Sequence, residues 1–155
     1  MRLARNILVA ALLLAGFWGA TLWRASVREA WAEAAYPADG QLVTVEGIKL
    51  HAVVAGHGRD LVLIHGASGS ARDFSPAFLA RLTDRYRVIA VDRPGFGWSD
   101  PAPGGTGIHD NARLIQGVAA ALGARRPIVL GHSYGGAVAL AWGVDAPEKM
   151  AALVL

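Results

Sequence analysis

Four short apolar runs, residues 61–64, 88–91, 128–130 and 153–155, are separated by stretches in which apolar residues recur at helical spacing. Runs this short, rich in Val, Ile and Leu and without polar alternation, suit strands covered on both faces. Between the first two, Ser75-Pro76 supplies a helix cap followed by proline at the first helical position, and Phe78, Leu79 and Leu82 share one face. Residues 110–122 carry Ile115, Val118, Ala119 and Leu122 on a stripe that stops at Gly123. Upstream, residues 41–45 and 48–55 read as a hairpin around Glu46-Gly47, with Ile48, Leu50, Ala52 and Val54 alternating. Strand and helix in regular alternation predict an α/β fold, a mostly parallel sheet covered by helices on both faces.

The third run opens directly into Gly131-His132-Ser133-Tyr134-Gly135, and a helix of small residues, 137–142, follows. The spacing G-x-S-x-G between a strand and a helix describes a turn so sharp that the serine takes a strained backbone conformation. The glycines make room for it, and the hydroxyl is pushed out at the carboxyl end of the sheet. A dinucleotide-binding turn is also glycine-rich, but it needs glycine where Ser133 stands, and Gly95-Phe96-Gly97 lacks the third glycine at Asp100. No G-x-x-x-x-G-K-[ST] phosphate loop occurs.

Composition narrows the classes further. Of 155 residues, 54% are hydrophobic and 17% charged, which allows one globular domain and an additional apolar segment. The net charge of +3 is spread without a basic stripe, so no nucleic-acid partner is expected. Cysteine is absent, which removes disulfides, thiol nucleophiles and cysteine-ligated metals. His51, His57 and His109 show no metal-ligand spacing such as H-x-x-x-H, and neither a metal nor a cofactor is expected.

The apolar segment is N-terminal. After Arg2 and Arg5, residues 7–23 run 17 positions without a charge, the lower limit for crossing a bilayer as a helix. Trp18 and Trp23 stand where an interfacial aromatic would sit. A secretory signal peptide competes with an uncleaved anchor, since Ala32-Glu33-Ala34 offers a cleavage site; the length of the run favours the anchor, as a continuous helix over residues 6–28. Two arginines flank each side, and the orientation leans towards a cytoplasmic N-terminus with the domain outside the cytoplasm. Residues 1–35 are therefore set apart from a globular unit over 36–155.

"LVLIHGASGS" (61–70), "VIAVDRPGFGWSD" (88–100) and "GHSYGG" (131–136) stand in an order and spacing that resembles the α/β-hydrolase superfamily. The resemblance implies that residues 36–155 form the N-terminal part of such a domain, that Ser133 is a nucleophile, and that the backbone N–H groups of Ala67 and Tyr134 form an oxyanion hole. Two fixed donors at a developing negative charge are worth several kcal/mol in an acyl-transfer intermediate. A serine in place of aspartate resembles the esterase, lipase and carbon–carbon hydrolase branches.

Around this core, Gly131, His132 and Gly135 read as support for the turn, and His65-Gly66 as support for the loop after its strand. Asp92, Arg93 and residues 95–100 read as a structural loop nearby. The expected triad order is serine, acid, histidine. After Ser133 come Asp145 and Glu148 but no histidine, and Asp145 stands at the far end of the helix that begins at the turn. Residues 153–155 moreover read as a strand in mid-sheet, so the expectation is a piece of a longer serine hydrolase acting on a small-molecule acyl substrate. A membrane-tethered binding module without turnover is the alternative.

Overall fold

The computed structural model describes residues 2–104 and 107–155, in two compact units, residues 1–38 and 39–155. The first holds one helix, α1 (Arg2–Ala35), 34 residues long with none buried. At 1.5 Å per residue it is about 50 Å long, against roughly 30 Å for the hydrocarbon core of a bilayer. The helix runs beyond the expected 6–28 because residues 24–35 are mostly Ala, Arg and Glu, which favour helix wherever nothing stops them. It ends just before Tyr36-Pro37, where proline disfavours helical backbone in the residue preceding it.

The second unit is a six-stranded sheet: β1 (Gln41–Val45), β2 (Ile48–Ala55), β3 (Arg59–Ile64), β4 (Tyr86–Val91), β5 (Ile128–Gly131) and β6 (Ala152–Val154). The strands lie in the order β1-β2-β4-β3-β5-β6. The first two pairings, β1–β2 and β2–β4, are antiparallel and the other three parallel, with Leu61 opposite Val88 on one side and Ile128 on the other. The β1–β2 hairpin turns at Glu46 (φ 52°) and Gly47 (φ 82°), two successive left-handed residues whose twist matches that of the strands.

Alternation along the strands builds two cores. Val62, Ile64, Ile89, Val91 and Val129 face α3 (Ile108–Ala121) and α4 (Tyr134–Asp145), packing against Leu114, Ile115, Val118, Val138 and Trp142. Leu61, Leu63, Val88 and Ala90 point the other way, onto Ala71 and Phe74 of a 3-10 turn and Leu79 and Leu82 around α2 (Pro76–Ala80). The helix expected after Ser75 is only one turn long, and Phe78 leaves the core to stack on Phe74 with ring centroids 6.1 Å apart. Ser75 does cap it, accepting a bond from the Phe78 amide at 3.3 Å. α3 stops where expected, with Gly123 in the left-handed conformation (φ 83°) just past its end.

The chain passes from β3 to β4 on one side of β3 and then crosses back to β5 on the other. Loops leaving the carboxyl ends of β3 and β5 diverge at that reversal, which is where open α/β sheets bind ligands.

Candidate active site

β5 ends at Gly131, and two residues later the backbone of Ser133 has φ 53° and ψ −118°, a region costing a non-glycine residue roughly 1–3 kcal/mol. This is the strained turn expected at that position. Its closeness explains the flanking glycines. A β-carbon on Gly131 would stand 2.1 Å from the carbonyl oxygen of Gly135, and one on Gly135 2.2 Å from the carbonyl oxygen of Ile64. The turn is tied to β3 by the His132 amide, which donates to Ile64 at 2.9 Å, and closed by the Gly136 amide, which donates to Ser133 at 2.8 Å. Ser133 itself is exposed. Tyr134 follows as the first residue of α4, where amides have no intrahelical acceptor and carry the positive end of the helix dipole.

The loop after β3 reaches the same place. A β-carbon on Gly66 would lie 3.4 Å from Cβ of Ser133 and 3.3 Å from Nδ1 of His132, so the peptide leading to Ala67 runs directly against the turn. His65, fully buried, holds that loop: its Nδ1 bonds to the Gly66 carbonyl at 2.9 Å, and its Nε2 accepts from the Arg93 amide at 2.9 Å. A carbonyl can only accept and an amide only donate, so the ring is the neutral Nδ1–H tautomer with both nitrogens committed. Burial pushes its pKa below the ordinary 6.5, and the neighbouring Arg93 charge adds to the effect against the opposing pull of the Gly66 bond.

His65 therefore supports the loop and has no free nitrogen with which to take a proton from Ser133. Because the folded state resists protonation while the unfolded chain protonates near 6.5, its stabilising contribution is complete above that pH and declines below it. His65→Gln should reduce the loss of stability between pH 7.5 and 5.5 by at most about 1.4 kcal/mol. Urea midpoints in detergent at the two pH values measure it; an unchanged slope contradicts the neutral assignment.

A family profile described as the alpha/beta hydrolase fold matches residues 61–155. The chain belongs to this family. Among curated proteins, it is 36% identical over 116 residues to the dihydrolipoyllysine-residue acetyltransferase component of an acetoin cleaving system from Cupriavidus necator, covering 74% of this chain and 31% of that protein. It is 34% identical over 115 residues to a 2-hydroxy-6-oxo-6-phenylhexa-2,4-dienoate hydrolase from Comamonas testosteroni, covering 68% of this chain and 38% of that one. Among solved structures, a membrane phospholipase A described as a bacterial virulence factor superposes with a TM-score of 0.69 at 33% identity, over 96% of this chain and 50% of that chain. The chain spans roughly a third of the length of the first two relatives.

Of the remaining histidines, His132 adjoins Ser133 in the turn. His57 precedes β3, at the opposite end of the sheet from Ser133. His109 pairs with Asp145 at 2.6 Å, both exposed, so the acid at the end of α4 is engaged about 16 Å along the helix from the turn. His132 is exposed beside the serine, and among the described residues no histidine is seen bonded to the Ser133 hydroxyl.

His51 takes part in a buried network that sequence reasoning missed. Its Nδ1 donates to Oδ2 of Asp92 at 2.8 Å; the same carboxylate accepts from the amides of Ala71 at 2.6 Å and Trp98 at 3.0 Å. Ser99 closes the knot, donating to the Asp92 carbonyl at 2.7 Å and accepting from the His51 amide at 2.9 Å. Burial alone would raise the Asp92 pKa, but the bond from His51 and the two amides outweigh it and hold the carboxyl below its ordinary value. A signal for this existed: if Leu50 and Ala52 face one core, His51 between them must face the other.

Proposed function

We propose that this chain forms the nucleophile-bearing half of a membrane-anchored serine hydrolase that cleaves an acyl bond in an ester or related small amphiphilic substrate. One observation carries the reading: an exposed serine held at φ 53° between β5 and α4, with the loop carrying Ala67 packed against it. Ser133 Oγ attacks the acyl carbon while its proton passes to a histidine. The carbonyl oxygen takes the negative charge and is met by the N–H groups of Ala67 and Tyr134. The protonated histidine then protonates the leaving group, and water, deprotonated by the same histidine, releases the acid and restores the serine. Each step balances without a cofactor.

Since both nitrogens of His65 are committed and the others stand apart or unbonded, that histidine and its acid partner are proposed to belong to polypeptide outside these 155 residues. The partial coverage of the relatives supports this.

The membrane part of the reading rests on α1, which is long and apolar enough to cross a bilayer, with the domain proposed to lie outside the cytoplasm. The match to the membrane phospholipase A covers 96% of the chain and so takes in most of α1 as well as the sheet. A lipid ester is the substrate class that the anchor would bring within reach.

Two measurements test the proposal together. After alkaline carbonate extraction the chain should remain with the membrane; recovery of the intact chain in the soluble fraction would remove the anchor. A fluorophosphonate probe should label Ser133 rapidly in the complete gene product and slowly in the 155-residue chain. A complete product that is not labelled would favour the binding module without turnover.

A further inference from the structure

We propose that Arg93 is a positioning residue that aims the backbone donors of the loop after β3, an inference resting on the hydrolase reading above. Arg93 is 3% exposed, yet among the described residues no carboxylate pairs with it. One nitrogen, Nη2, donates to two consecutive carbonyls, Gly66 at 2.7 Å and Ala67 at 2.9 Å. The guanidinium lies between two rings, 4.3 Å from the centroid of Phe96 and 4.7 Å from that of Tyr134. The backbone amide of the same residue holds His65 Nε2. A buried cation is costly unless something uses it, and among the described residues its guanidinium hydrogen-bonds only to the loop.

The use follows from peptide geometry. A trans peptide is planar, with its C=O and N–H antiparallel. Gly66 O and Ala67 N belong to one peptide, and Ala67 O and Ser68 N to the next. Fixing the two oxygens on Arg93 therefore points the Ala67 and Ser68 N–H groups the opposite way. The Gly66 oxygen is held by Arg93, by His65 Nδ1 and, at 3.4 Å, by the Gly69 amide, so that peptide cannot rotate without breaking all three bonds. Because Arg93 also packs on Tyr134, whose own N–H is the second donor, one side chain sets the separation of the two halves of the hole. Its positive charge further favours the negative oxygen that forms there. Burial pushes the guanidinium below its ordinary pKa, as expected for a cation lacking a counter-ion. Two bonds from one nitrogen, and stacking on two aromatic faces, are what a planar guanidinium supplies and an ammonium reproduces only in part.

The test compares Arg93→Met, Arg93→Lys and Ser133→Ala. In the complete gene product with a p-nitrophenyl ester, Arg93→Met should lower kcat by roughly 10²-fold, the effect of a misplaced oxyanion donor, with KM within about three-fold. Arg93→Lys should recover about ten-fold of that loss, since it keeps the charge and at least one carbonyl bond. In the 155-residue chain in detergent, the ¹⁵N order parameters of Ala67 and Ser68 should fall below about 0.6 in Arg93→Met while those of β3 stay near 0.85. Should Arg93→Met fail to fold, Arg93→Lys decides on the same two readouts. Unchanged kcat and order parameters in a folded variant overturn the proposal while Ser133→Ala remains inactive. Full activity in Ser133→Ala overturns the hydrolase reading, and the proposal with it.

Discussion

In a gene product that carries the proposed histidine and acid, Ser133→Ala should lower hydrolysis of a p-nitrophenyl ester by roughly 10⁴- to 10⁶-fold, leaving only the rate that the proposed donors and binding sustain. The 155-residue chain should behave differently. His65 is locked as a neutral acceptor and donor, His51 and His109 are paired to Asp92 and Asp145, and among the described residues no histidine is bonded to the Ser133 hydroxyl. Wild type and Ser133→Ala should therefore be nearly equal there, both far below an enzymatic rate. Rapid Ser133-dependent turnover by the short chain would show that a base is present, and His132 would be the residue to replace first.

Asp92→Ala should cost the sheet domain about 3–5 kcal/mol, because the substitution strands the His51 ring N–H and the amides of Ala71 and Trp98 in a buried site. For a domain of this size the thermal midpoint should fall by roughly 10–20 °C. Asp92→Asn keeps an acceptor for Ala71 and should cost less. The pH dependence distinguishes charge from shape. The carboxyl is held below its ordinary 3.8, so its stabilising contribution is present above that value and is lost as pH falls through the folded-state pKa. Asp92→Asn should lack this acid-induced decline. Equal acid sensitivity in the two proteins would show that Asp92 carries no net charge in the fold.

The parts legible in the sequence were those whose signal is local. Residues 61–64 and 88–91 are strands because every position is apolar, and a strand between two helical layers asks for nothing else. The turn at Ser133 is a five-residue pattern with its strand and helix adjoining, so its positive φ follows from neighbours within a few positions. The His51–Asp92 bond joins residues 41 apart, and Arg93 reaches a loop 26 residues upstream. Such contacts exist only once β2, β3 and β4 lie side by side, and no periodicity announces them. Hence the stretch 92–100 read as structural support, while its grip on the loop carrying Ala67 came from the fold. The helix after Ser75 was legible at its start and not at its end. A cap is written in two residues, whereas the return to β4 at Tyr86 is imposed by the sheet.

The backbone angle at residue 133 bears on whether the chain was shaped for chemistry at all. A left-handed residue there costs roughly 1–3 kcal/mol as serine and almost nothing as glycine, so the fold would be more stable with glycine in that position. In a module that only binds, mutational drift would find that relief freely, since one substitution improves stability and removes nothing in use. A hydroxyl kept where the backbone resists it has to return something for the cost, and what it offers is an exposed oxygen at the carboxyl end of the sheet. On the proposed hydrolase reading, turnover is what a serine at this position would serve; the fold alone gains nothing from it.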